Sequence, residues 1–186
     1  SKLRSIYIGK NVTSLFETFG GYDSFQRVPF ADCSALATIT VNKDNQSYTA
    51  VDNVLFDKEM KQLIRCAPAK TGSYSLPASV TSIYWREAFA DSQLTDITIP
   101  EGMTVIPKLT FMNSAVRTVI LPKTLTTIYE SAFKGCTNLT SIAIPEGIEN
   151  IEAETFYNCT SLARVTLPNS LRRIYSEAFS GCTGLG

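Results

Sequence analysis

Five cysteines, seventeen carboxylate side chains and not one histidine bound the chemistry open to this 186-residue chain. Without histidine the chain lacks the commonest general base, the commonest metal ligand and the usual switch near neutral pH. A Ser-His-Asp or Cys-His set is therefore excluded, and no G-x-S-x-G, phosphate-cradling glycine loop or H-E-x-x-H is present. Carboxylate pairs exist (Glu152 with Glu154, Asp52 with Asp57). Glycoside hydrolysis would need a cleft that holds two of them across a sugar, and the sequence implies none. No catalytic residue, metal or cofactor is expected.

The cysteines carry a pattern instead. Cys33, Cys136, Cys159 and Cys182 fall in one recurring column, which Ser92 and Ser114 occupy where the spacing is shorter. Zinc needs ligands that converge at tetrahedral geometry, and a linear column does not converge. A disulfide between successive members is within reach by spacing, but their side chains would have to face one another. Small buried free thiols are the preferred reading. Cys66 stands off the column with no evident partner.

What places that column is a repeat of about 23 residues. LTSIAIPEGIENIEAETFYNCTS from Leu139 and LARVTLPNSLRRIYSEAFSGCTG from Leu162 show it best. The same frame opens at Val116, Leu94 and Thr71, and more loosely at Leu36 and Leu3, giving seven openings. Each begins with an alternating segment such as Leu139-x-x-Ile142-x-Ile144, whose apolar residues share one side of a strand. Proline at 77, 100, 122, 145 and 168 then stops the strand, because it has no amide hydrogen to give. An apolar pair follows (Leu125 and Ile128, for example). Last comes a phenylalanine column: Phe30, Phe89, Phe111, Phe133, Phe156 and Phe179.

A unit this short cannot bury its apolar face alone, so successive units must stack and share one core. The expected fold is a right-handed repeat solenoid, a β-rich coil with a parallel β-sheet on its concave face. Return segments such as that after Pro145-Glu146-Gly147 should be short extended or 3₁₀ pieces. Residues 1–186 read as one solenoid of about seven coils, and Leu185 opens an eighth, as in a fragment of a longer chain.

Two stretches break the rhythm. Residues 42–70 are an insertion, in which Asn53–Phe56 and Gln62–Arg65 flank a polar run and predict a β-hairpin with a five-residue loop. The stretch with Phe16, Phe19, Tyr22 and Phe25 around Gly20-Gly21 could cap the first coil or serve as a recognition flap.

The columns L-x-x-I-x-I-P, V-x-x-I and A-F-x-x-C-x-x-L resemble the BspA-like leucine-rich repeats, closely over 71–186 and loosely over 1–70. The insertion also resembles a segment recurrent in that family, which usually has glycine where this chain has Asn53. The resemblance implies a secreted or surface-attached bacterial protein. It further implies adhesion to host matrix proteins such as fibronectin and fibrinogen, or to other cells, and it transfers no catalytic residue.

On these grounds the chain is expected to be an extracellular or cell-surface interaction module, binding a protein or glycan. A passive spacer that presents another domain is the alternative. Lysine and arginine number 17, as do aspartate and glutamate, so no basic surface for nucleic acid is indicated. No apolar run is long enough to span a membrane, and a monomer is expected. The concave face offers Arg4, Tyr7, Asp96, Arg117 and Arg164 among small hydroxyl side chains; the aromatic stretch offers Phe16, Phe19, Tyr22 and Phe25.

Overall fold

A computed structural model describes residues 2–15, 29–84 and 86–186. The described residues contain fifteen strands and no helix. Strands β1 (Ser5–Ile8) and β2 (Thr38–Val41) come first, followed by β3 (Tyr48–Val51), β4 (Val54–Asp57) and β5 (Gln62–Cys66). Five coils then each give a main strand and a two-residue return strand. These are β6 (Thr71–Ser75) with β7 (Ser82–Ile83), β8 (Gln93–Thr98) with β9 (Val105–Ile106), and β10 (Thr118–Ile120) with β11 (Thr127–Ile128). The last two coils give β12 (Ser141–Ala143) with β13 (Asn150–Ile151), and β14 (Arg164–Thr166) with β15 (Arg173–Ile174). The described residues form a helix-free β-solenoid.

Parallel pairing one coil apart defines the main face: β6 with β8, β8 with β10, and β12 with β14. Each proline ends its strand and opens a turn, with the amide three residues later bonded to its carbonyl, as in Leu125 N to Pro122 O at 3.2 Å. That turn drops Val80, Met103, Leu125 and Ile148 into the core. The return strands form the second face, with β9 pairing β11 and β13 pairing β15 in parallel.

The phenylalanines line the third side. Phe89, Phe111, Phe133, Phe156 and Phe179 stack ring on ring, with centroids 4.9–5.3 Å apart and planes within 10° of parallel. Backbone bonds impose this spacing, since Phe111 N donates to Ala132 O at 2.8 Å and Phe133 N to Thr155 O at 2.9 Å. Left-handed residues flank each ring, Ser131 (φ 56°) before Phe133 and Gly135 (φ 73°) after it. They turn the chain sharply enough to aim the ring inward.

Phe30 does not join the stack. It packs in a separate N-terminal cluster with Ile8, Leu36, Ile39 and Tyr48. The place before Phe89 is taken by Cys66, whose amide donates to Ala88 O at 2.8 Å as the phenylalanine amides do in later coils. The column cannot be extended through the insertion, because β3–β5 lie between the two clusters.

That insertion is more than a hairpin. β3, β4 and β5 form an antiparallel three-stranded meander, and β5 pairs in parallel with β7. Two residues, Asp52 (φ 50°) and Asn53 (φ 62°), make the β3–β4 turn. Both central residues being left-handed marks the tight turn that suits strand twist. The β4–β5 loop holds four residues rather than five, since Asp57 ends β4 and its Oδ1 accepts from Lys61 N and Gln62 N at 2.8 Å. Val54 and Phe56 enter the main core while Leu55 enters the N-terminal cluster. The unbroken apolar run Val54-Leu55-Phe56 thus reflects burial on both faces.

Candidate binding surfaces

Outward residues of the main strands stand in columns one coil apart. Ser73 pairs with Asp96 and Asp96 with Thr118, while Ser141 pairs with Arg164 in the last two coils. Arg117 precedes Thr118 and so sits one place ahead of the Asp96 column. The Asp96 carboxylate accepts from Thr95 Oγ1 at 2.7 Å and from Ser73 Oγ at 3.2 Å. The Thr95 bond, followed by the Thr118 and Ser73 hydroxyls and the Arg117 guanidinium, holds its carboxyl below the usual range. Asp96 is therefore a fixed anionic acceptor on this face. Ile120, 56% exposed, is the large apolar side chain there.

Arg4 and Tyr7 belong to a different sheet. β1 pairs only with β2, and the meander intervenes before β6. Tyr7 is exposed, and its hydroxyl accepts from Asn42 Nδ2 at 2.6 Å. Asp96 and Arg117 therefore go with the β6–β8–β10 sheet. Arg164 lies on the β12–β14 pair that follows it through the Thr140 N to Arg117 O bond at 3.3 Å, and Arg4 and Tyr7 are set apart with β1 and β2. Phe16, Phe19, Tyr22 and Phe25 lie outside the described residues.

The return side holds a second concavity that the sequence reading missed. Tyr84, Pro107 and Tyr129 each follow a buried isoleucine of a return strand, and they border a cavity of about 590 Å³. The signal was available: tyrosine follows isoleucine at 84, 129 and 175 in three of the five coils.

The cysteines are free and form no chemistry-bearing site. Cys136, Cys159 and Cys182 each donate to the carbonyl of the phenylalanine one coil back (Phe111, Phe133 and Phe156) at 3.0–3.1 Å. Burial pushes the Cys66 thiol up to about 12 and Cys182 to about 11. Among the described residues no cluster of three metal-ligating side chains occurs, and no helix is long and apolar enough to cross a membrane.

The repeat geometry has a counterpart among known families. A model of the BspA type leucine rich repeat region matches residues 66–186 in six copies. The chain belongs to that family. Among solved structures, this BspA-type chain is similar to a leucine rich cell surface protein from Faecalibacterium prausnitzii, at 32% identity and a TM-score of 0.81. That match covers 100% of this chain and 47% of the other. A leucine-rich repeat protein from Eubacterium ventriosum matches at 26% identity and a TM-score of 0.70, covering 98% of this chain and 53% of its own. The T. pallidum leucine rich repeat protein matches at 26% and 0.61, covering 72% and 65%. The BspA-type chain thus spans about half the length of the first two. No curated protein matches it.

Proposed function

We infer that this chain is a non-enzymatic adhesion module that acts at the cell surface or outside the cell and binds a protein through the outward face of β6–β14. The observation that carries this reading is that Asp96 on β8, Arg117 and Ile120 at β10, and Arg164 on β14 recur along the parallel main strands. Regular coils hold the charges apart at fixed intervals, and an exposed isoleucine lies among them. A partner surface can be matched to that spacing at little entropic cost, because the strands are already ordered. The description of the F. prausnitzii relative as a cell surface protein supports the location.

The test is binding of the chain in solution to immobilised fibronectin and fibrinogen. Saturable binding on the order of tens of micromolar or tighter is expected. The double substitution Arg117→Glu with Arg164→Glu should weaken it, and added salt should do the same. No saturable signal, or binding indifferent to both, removes the reading.

A further inference from the structure

We propose that the cleft between Tyr84 and Tyr129 is a binding site for a neutral oligosaccharide. It lies on the return side of the solenoid, away from the outward sheet face, so it stands independently of the adhesion reading above.

The backbone builds the cleft. Ile83, Ile106 and Ile128 turn inward and are buried, so the next residue of each coil turns out. Those residues are Tyr84, Pro107 and Tyr129. Tyr84 N bonds Leu63 O at 2.8 Å and Tyr129 N bonds Ile106 O at 2.9 Å, which keeps them in one column. Two inter-strand steps put the tyrosine backbones about 10 Å apart. Between them the compact Pro107 leaves a saddle, and the resulting cavity is about 590 Å³. A trisaccharide laid along the column would set its first and third rings against the two tyrosines.

Both aromatic side chains remain in water, Tyr84 at 36% and Tyr129 at 45% exposure. A tyrosine ring offers a flat apolar face, and the apolar C–H face of a pyranose can cover it. The rim supplies the complementary polar groups. Lys108 Nζ lies 2.5 Å from Glu130 Oε1, and Arg86 Nε lies 3.6 Å from Glu87 Oε1. Lys108 is matched by Glu130 within the lining, and the remaining cation, Arg86, is countered by Glu87 just outside it, so little charge is left to attract an acidic ligand. The Lys108 ammonium has three hydrogens and the Glu130 carboxylate two oxygens, enough to donate to and accept from sugar hydroxyls beyond their mutual bond. Apolar walls with a few convergent polar groups, most of their charge paired, suit an uncharged polyol with apolar faces.

The same column contains its own control. Tyr175 is exposed in the last coil, but it does not border the cavity.

Calorimetry and affinity electrophoresis with neutral tetrasaccharides of glucose (β1,4 and α1,4), mannose and N-acetylglucosamine test the proposal. At least one should bind saturably. Tyr129→Ala and Tyr84→Ala should each lower its affinity about tenfold or more. Tyr175→Ala should leave it unchanged, and the melting temperatures of all three variants should stay close to the parent. The proposal is overturned by absence of binding across the panel, or by binding that survives Tyr129→Ala. It is equally overturned if a sialylated or sulfated sugar, or a proline-rich peptide, binds the cleft in preference to every neutral sugar. All three variants leave Asp96, Arg117 and Arg164 in place, so matrix-protein binding is scored separately.

Discussion

The ring of Phe133 lies 4.9 Å from that of Phe111, with the two planes 5° apart. Aromatic pairs left to themselves favour offset or edge-to-face contact. Here the coil-to-coil hydrogen bonds dictate the separation, and the ring planes follow the backbone. Phe133 is wholly buried. Phe133→Ala should therefore cost about 3–5 kcal/mol, the range for a buried aromatic truncated in a core. Urea denaturation checks this; a loss under about 1 kcal/mol, typical of surface changes, contradicts the shared core.

Gly135 should not tolerate a side chain. Its φ is 73°, and a Cβ built there would lie 2.2 Å from Asn113 Oδ1 in the coil before. Gly135→Ala should lower the melting temperature, by left-handed strain and by displacement of the Asn113 amide. Adding Asn113→Gly should restore part of the loss, because it removes the clash, suits the left-handed φ of 55° at that position and leaves only the strain at 135. Equal melting temperatures for the single and double variants would show that the amide is not displaced.

The thiols should be inert while the chain is folded. Cys66, Cys136, Cys159 and Cys182 are buried, and burial raises the Cys66 and Cys182 thiols far from the reactive range. A chromogenic disulfide reagent at pH 8 should label these four orders of magnitude more slowly in buffer than in denaturant. Fast native labelling of Cys159 would place it outside the core.

Glu154 should make stability depend on acid. The Lys134 ammonium, 2.5 Å away, and then the Ser131 hydroxyl at 3.0 Å hold its carboxyl below the usual range. The contribution is full above the ordinary carboxylate pKa and disappears as pH falls through the lowered folded value, where both states are protonated. Glu154→Gln should therefore lower the melting temperature slightly at pH 7, with the gap closing as the pH falls below the ordinary carboxylate range. A gap that persists in acid would mean packing, not charge, is at stake.

The coils from 71 onward were legible because proline, isoleucine and phenylalanine each occupy a fixed place that only one backbone path satisfies. The insertion was harder. Its β3–β4 turn is Asp52-Asn53, without the glycine that signals a tight hairpin, so Tyr48–Val51 did not read as a strand. Cys66 stands in a phenylalanine position without being phenylalanine, and only its hydrogen bond to Ala88 reveals that. Phe30 matched by residue type across an interval whose path had changed. As for binding surfaces, alternation along a strand places Asp96 and Arg164 outward from spacing alone. The tyrosine cleft depends on Pro107 being smaller than its neighbours above and below, a relation across coils that no single repeat displays.

The position of β4 carries a mechanical consequence. With Leu55 wedged into one oily compartment and Val54 and Phe56 into the other, the two compartments share a wall a single strand thick. Peeling away the first two strands would strip that wall bare and flood its far side. The chain consequently has no seam at its middle, and heat should dismantle both parts together.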